Sequence, residues 1–252
     1  MYLLWLGIIC YFLAFILSLL YHFISTFKKP TLFSLFLGWL FYMVYVIKMA
    51  LDIGSFPFAD IYGFYSLLGN GMVLLLLLIS FKQEQLQKFL AFFSLMGILS
   101  TFLALPAEPS PYKSPLYSLH ITSALFSYAF ALFGGFFSLI KFMVEAKLKQ
   151  KSLSGFFMPL NLLRRGERLF INLSFIFFTL TLIFGSLWSR SFFGQHWIND
   201  PKLIYVLFLW LYYAILVHLN LLQRIKPKTL SYGIIIGAFL VILNLLFIRH
   251  EL

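Results

Sequence analysis

The sequence predicts an all-α, polytopic membrane protein of about eight transmembrane helices with both termini outside. Three observations carry that reading. The 252 residues are 62% hydrophobic and only 11% charged, with a mean hydropathy of +0.95, where a soluble domain is roughly half apolar and about a quarter charged. Apolar runs, each near the roughly 20 residues that cross a bilayer, recur eight times, at 2–24, 31–51, 62–81, 88–106, 116–144, 169–188, 202–222 and 229–248. The basic residues are also concentrated on alternate connections.

The first run follows Met1-Tyr-Leu-Leu-Trp5 without a basic leader or a small-residue cleavage site, so it reads as a retained span. Cys10 lies inside it and is the only cysteine. One thiol makes no internal disulfide, no CxxC redox pair and no multi-cysteine metal site, which leaves Cys10 as a small core residue. The next three runs are parted by Lys28-Lys29-Pro30, by the aromatic stretch beginning at Phe56, and by a segment with Lys82 and Lys88. The fifth leads into the longest connector, about 145–168, which is basic and contains Gly155 and Pro159. The last two runs start behind Asp200-Pro201 and behind Arg224, Lys226 and Lys228. There is no internal period of 20–50 residues. The spans use nearly the whole chain, so 1–252 reads as a single transmembrane domain, with its chemistry in the helices or their connections.

The formal net charge of +11 reflects topology. Fourteen of the 19 cations are Lys28, Lys29, Lys82, Lys88, Lys141, Lys147, Lys149, Lys151, Arg164, Arg165, Arg168, Arg224, Lys226 and Lys228, all on one alternating set of connections. The other five are Lys48, Lys113, Arg190, Lys202 and Arg249. The positive-inside rule makes the first set cytoplasmic, in a cell (cytoplasmic or inner) membrane. The basic connector is then expected to touch anionic lipid headgroups and not nucleic acid. Lys48 and Lys141, near span ends, read as snorkelling side chains, so a transporter with midplane charges ranks lowest.

Ionisable residues at membrane depth are costly and mark function. Of the five histidines, His120 opens the fifth span and His250 follows the eighth, both at the outer side. His196 lies in the outer connection between spans six and seven. His22 closes span one, and His218 lies towards the inner end of span seven. Two histidines at each depth suit an iron porphyrin held by paired imidazoles, and equally suit interfacial or packing roles. The outer connection of about 185–202 concentrates Trp188, Phe192, Phe193 and Trp197 around Gly194 and ends in Asp200-Pro201-Lys202. Its aromatics offer faces to a flat macrocycle or form an interfacial belt. Asp200 is the expected N-cap of span seven, with Pro201 in its first turn.

These residues resemble a known family. Gly185-Ser-Leu-Trp188, Gly194, Trp197 and Asp200-Pro-Lys202, followed by Trp210-Leu-Tyr-Tyr-Ala-Ile-Leu-Val-His218, resemble the tryptophan-rich WWD segment and next helix of the cytochrome c assembly proteins, in particular the CcsA/ResC branch of the system II synthase. Leu119-His120 with Ser127-Tyr128-Ala129, the stretch Phe56–Ser66, and His250 extend the resemblance. The chain departs from the pattern at Phe193 and Asn199, where Trp is usual, at His196, where an aromatic is usual, and at Leu203, where an acid is usual.

The resemblance implies a haem-delivery membrane subunit of c-type cytochrome biogenesis and a component of a cytochrome c haem lyase. Haem b is the implied cofactor, held by His120 and His250 outside and by His22 and His218 inside, with Trp188, Phe193, Trp197 and Asp200 forming the outer pocket. The implied partners are a CcsB/ResB-like membrane protein and an apocytochrome c, whose CxxCH thiols receive the haem vinyl groups. The departures leave open a HemX-like haem-binding regulatory or assembly protein.

Overall fold

The computed structural model describes residues 1–151 and 158–247. Among them are eight helices long and apolar enough to cross a membrane. They are α1 (Tyr2–Tyr21), α2 (Lys28–Ile53), α3 (Ile61–Ser80), α4 (Leu90–Leu103, entered through a 3₁₀ turn, Glu84–Phe89), α5 (Pro115–Lys149), α6 (Leu160–Phe193), α7 (Pro201–Leu221) and α8 (Pro227–Phe247). All eight expected spans are present, and no strand is found among the described residues.

The chain divides into two compact units, Met1–Lys113 and Ser114–Leu252. In the first, α1 packs on α2 and α4, and α3 packs on α4 and α2. Its centre is polar. Tyr11 donates to Asn70 Oδ1 (2.7 Å), while Asn70 Nδ2 donates to the Ser66 carbonyl (3.0 Å), Ser100 Oγ (3.0 Å) and Thr101 Oγ1 (3.2 Å). A buried amide in an apolar bundle is tolerated only when its donors and acceptors are met. These bonds tie α1, α3 and α4 together. Asp60 caps α3 by accepting from Gly63 N at 2.9 Å.

In the second unit α5 packs on α6 and α8, and α7 packs on α6 and α8. Adjacent helices run antiparallel: Tyr117 meets Trp188 while Lys141 meets Glu167, and Tyr128 bonds Asn244 while Lys141 bonds Ser231. Buried residues recur along α6 every three or four positions from Leu163 and Glu167 to Gly185 and Ser189, the single inward stripe of a continuous helix.

The structure corrects three expectations. The connector of about 145–168 is largely helical, because α5 continues to Lys149 and α6 begins at Leu160. Arg164, Arg165 and Arg168 therefore stand exposed on the first turns of α6. The outer connection of about 185–202 is also mostly helix: α6 runs to Phe193, and only Gly194–Asp200 lie between α6 and α7. Lys141 does not snorkel. Its ammonium is wholly buried, donating to Glu167 Oε2 at 3.0 Å, to the Pro227 carbonyl at 3.2 Å and to Ser231 Oγ.

Candidate functional site

The α6–α7 end of the second unit gathers most of the residues singled out in the sequence. His120, one and a half turns into α5, lies against Gly185 of α6. A Cβ on Gly185 would stand 2.8 Å from His120 Nδ1, so only glycine admits the ring at this distance. The ring is held by Nδ1, 2.9 Å from the Thr181 carbonyl. A carbonyl can only accept, so the proton is on Nδ1 and the Nε2 lone pair is the one suited to a metal. Such an Nδ1–H to carbonyl bond is what orients histidines that ligate metals.

Trp188 lies parallel to this imidazole, with an interplanar angle of 10° and centroids 6.4 Å apart. Tyr117 flanks the indole at 5.3 Å, and Phe192 and Phe193 extend the cluster at 5.6 and 5.9 Å. Trp188 and Phe192 are one helical turn apart, which sets them on one flank of α6. Gly194 ends the helix in the left-handed region (φ +79), with its N–H on the Arg190 carbonyl, a conformation that side-chain-bearing residues rarely adopt. Trp197 is 44% exposed, so its face is open, and its indole N–H donates to Asn199 Oδ1 at 3.3 Å. Asp200 is buried and accepts from Leu203 N at 3.1 Å, which makes it the N-cap of α7.

The remaining histidines divide by position. His218, on α7 towards its other end, is exposed and directs Nδ1 to the Ala214 carbonyl at 2.7 Å. Phe175 meets it edge-on at 6.0 Å, and Trp210, one face of which stacks on Phe175, is anchored through Nε1 to Thr179. His22, at the C-terminus of α1 in the first unit, is exposed with Nδ1 3.3 Å from the Ser18 carbonyl. Both therefore carry the same tautomer as His120. His250 lies outside the described residues.

His196 is different: its Nε2 accepts from Arg190 Nη1 at 3.0 Å, so in this arrangement that lone pair is used within the protein. Sequence reasoning passed over this contact and the Lys141–Glu167 pair. The four-residue spacing of Ser186 and Arg190 was the available signal for the first, and Glu167, an isolated acid in a basic stretch, for the second. Among the described residues no three His, Cys, Asp or Glu side chains converge as a metal cluster. His218 and His22 direct Nδ1 to a carbonyl of their own helix, and His120 directs Nδ1 to the Thr181 carbonyl of α6.

Fold and site together define a multi-pass, all-helical membrane protein whose helix ends carry oriented histidines beside aromatic faces. The model of the cytochrome c assembly protein family matches residues 58–251, and the chain belongs to that family. It is similar to the cytochrome c biogenesis protein CcsA of Cyanidium caldarium, 29% identical over 133 residues that cover 42% of this chain and 45% of the relative. The CcsA of Chlamydomonas reinhardtii is 31% identical over 134 residues, covering 50% of this chain and 37% of the relative. The chain thus spans less than half the length of these relatives. Among solved structures, the cytochrome c heme lyase CcmF superposes with a TM-score of 0.67 over 99% of this chain and 46% of the lyase, at 16% identity, a likeness of fold.

Proposed function

We propose that this chain acts in cytochrome c maturation as a membrane subunit that binds haem b and presents it for attachment to an apocytochrome c. The observation that carries the reading is the His120–Trp188 pair, an imidazole with its Nδ1 proton fixed on the Thr181 carbonyl beside a parallel indole. His120 and His250 would hold the haem iron on the outer side. Trp188, Phe193 and Trp197 supply ring faces, and Asp200 fixes the start of α7. His218 and His22 supply the inner nitrogens. The chain's part in attachment is positioning: the imidazoles would hold the iron, the aromatic side chains would pack against the ring, and the bound group would supply the vinyl carbons to which the thiols add. Those thiols belong to the CxxCH segment of the apocytochrome, in keeping with Cys10 as the only cysteine here. A CcsB/ResB-like membrane protein is the proposed partner, and the cytoplasmic or inner membrane the proposed location, with the basic C-terminal end of α5 and N-terminal end of α6 inside near anionic lipid.

One observation favours a second reading. Asn199 stands where the family pattern has Trp and is engaged with the Trp197 indole, so the pocket has one aromatic face fewer, as suits a HemX-like protein that binds haem without supporting attachment.

Haem in the detergent-purified protein is expected to give a low-spin bis-imidazole spectrum. His120→Gly should lose it, and added imidazole should restore it. Unchanged haem content in a His120→Gly/His250→Gly protein would sink the reading. Covalent haem on a co-expressed c-type apocytochrome, given the partner, separates the lyase component from the HemX-like protein.

A further inference from the structure

The last turns of α6 hold a second arrangement that axial ligation does not use. Ser186 and Arg190 share one flank of the helix, four residues apart. Beyond the Gly194 turn, His196 folds back over them, with Nε2 3.0 Å from Arg190 Nη1 and Nδ1 3.0 Å from Ser186 Oγ. A guanidinium only donates, so Nε2 accepts and the Nδ1 proton is directed at Ser186. The imidazole orients the cation without neutralising it.

Among the described residues the ion pairs are Lys28–Glu84 and Lys141–Glu167, and neither includes Arg190. Asp200, the acid nearest to Arg190 in sequence, is buried and accepts from the Leu203 N–H. Arg190 also stands apart from the connections where most cations collect, so topology does not account for it. It is exposed, one helical turn from Phe193, and its partner His196 adjoins Trp197. Phe193 and Trp197 are 39% and 44% exposed. The planar fork of the exposed guanidinium matches a carboxylate.

We propose that Arg190, aimed by His196, binds a carboxylate of the cargo, a propionate of the porphyrin; this rests on the haem reading above. Arg190 touches the ligand, and His196 is a positioning residue.

The test titrates iron protoporphyrin IX and its dimethyl ester separately into the detergent-purified full chain, followed by Soret absorbance. The wild type should bind the free acid about tenfold more tightly than the ester, the size of one charge-assisted hydrogen bond. Arg190→Gln should abolish the preference by weakening the acid alone, and the retained ester affinity certifies its fold. Arg190→Lys should keep part of the preference. His196→Phe, which cannot accept a hydrogen bond, should reduce it without changing ester binding. Equal wild-type binding of acid and ester, or an Arg190→Gln protein weakened equally for both, overturns the inference and leaves the haem reading standing. A wild type that binds neither porphyrin overturns both.

Discussion

Lys141 and Glu167 form an ion pair of 3.0 Å with side chains 0% and 2% exposed, joining α5 to α6 where Ser231 and the Pro227 carbonyl of α8 also converge. Two opposite charges taken out of water are tolerated together and costly apart. Glu167→Gln or Lys141→Met should each destabilise the purified protein by about 3–5 kcal/mol. The double variant Lys141→Met/Glu167→Leu should be markedly more stable than either single one. Thermal unfolding in detergent measures this, and additive losses would rule out an energetic pair.

Gly185 makes room for His120. Gly185→Ala sets a methyl 2.8 Å from Nδ1, so the imidazole must leave the Thr181 carbonyl. Because Ala favours helix over Gly by about 1 kcal/mol, helical circular dichroism should be unchanged while haem retention falls. Undiminished haem with intact helicity would show that the approach of ring and backbone is dispensable.

Trp188 should respond in a graded way. Trp188→Phe keeps a face against His120, whereas Trp188→Ala removes the stacking contribution of about 0.5–1.5 kcal/mol. Haem retention should fall more for Ala than for Phe. Equal losses of membrane yield with an unaltered haem spectrum would make Trp188 an interfacial anchor.

Asn70 is the hub of the first unit. Asn70→Leu leaves the Tyr11, Ser100 and Thr101 hydroxyls to find other partners, and stability should fall by about 1–3 kcal/mol. Adding Tyr11→Phe to that variant should cost less than Tyr11→Phe costs alone, because the shared bond is already gone. A thermal melt of the four proteins decides it.

The spans were legible because twenty-residue apolar runs have few alternatives to a membrane helix. Asp200-Pro201 announced the start of α7 for an equally local reason, since a carboxylate before a proline matches what an N-cap and first turn require. Helix ends were harder to read. Trp188-Ser-Arg-Ser-Phe-Phe193 is polar enough to suggest a loop, yet no residue in it breaks a helix, and the stop falls at Gly194, where φ is +79. Arg164, Arg165 and Arg168 are good helix formers whose charge suggested a connector. The burial of Lys141 and the folding of His196 onto Arg190 depend on partners 26 and 6 residues away, brought close only by an antiparallel helix pair and by a reversal at a glycine.

The extra length of α5 and α6 has a mechanical meaning. At 1.5 Å per residue, the 21 residues of α7 and of α8 reach about 31 Å, the thickness of the oily layer, while the 35 and 34 residues of α5 and α6 reach about 50 Å. The pair are long enough to outreach that layer, with His120 and Trp188 near one tip and Lys141 and Glu167 stepped towards the other. The packing of α5 on α6 therefore joins the basic end and the aromatic end through one pair of continuous helices.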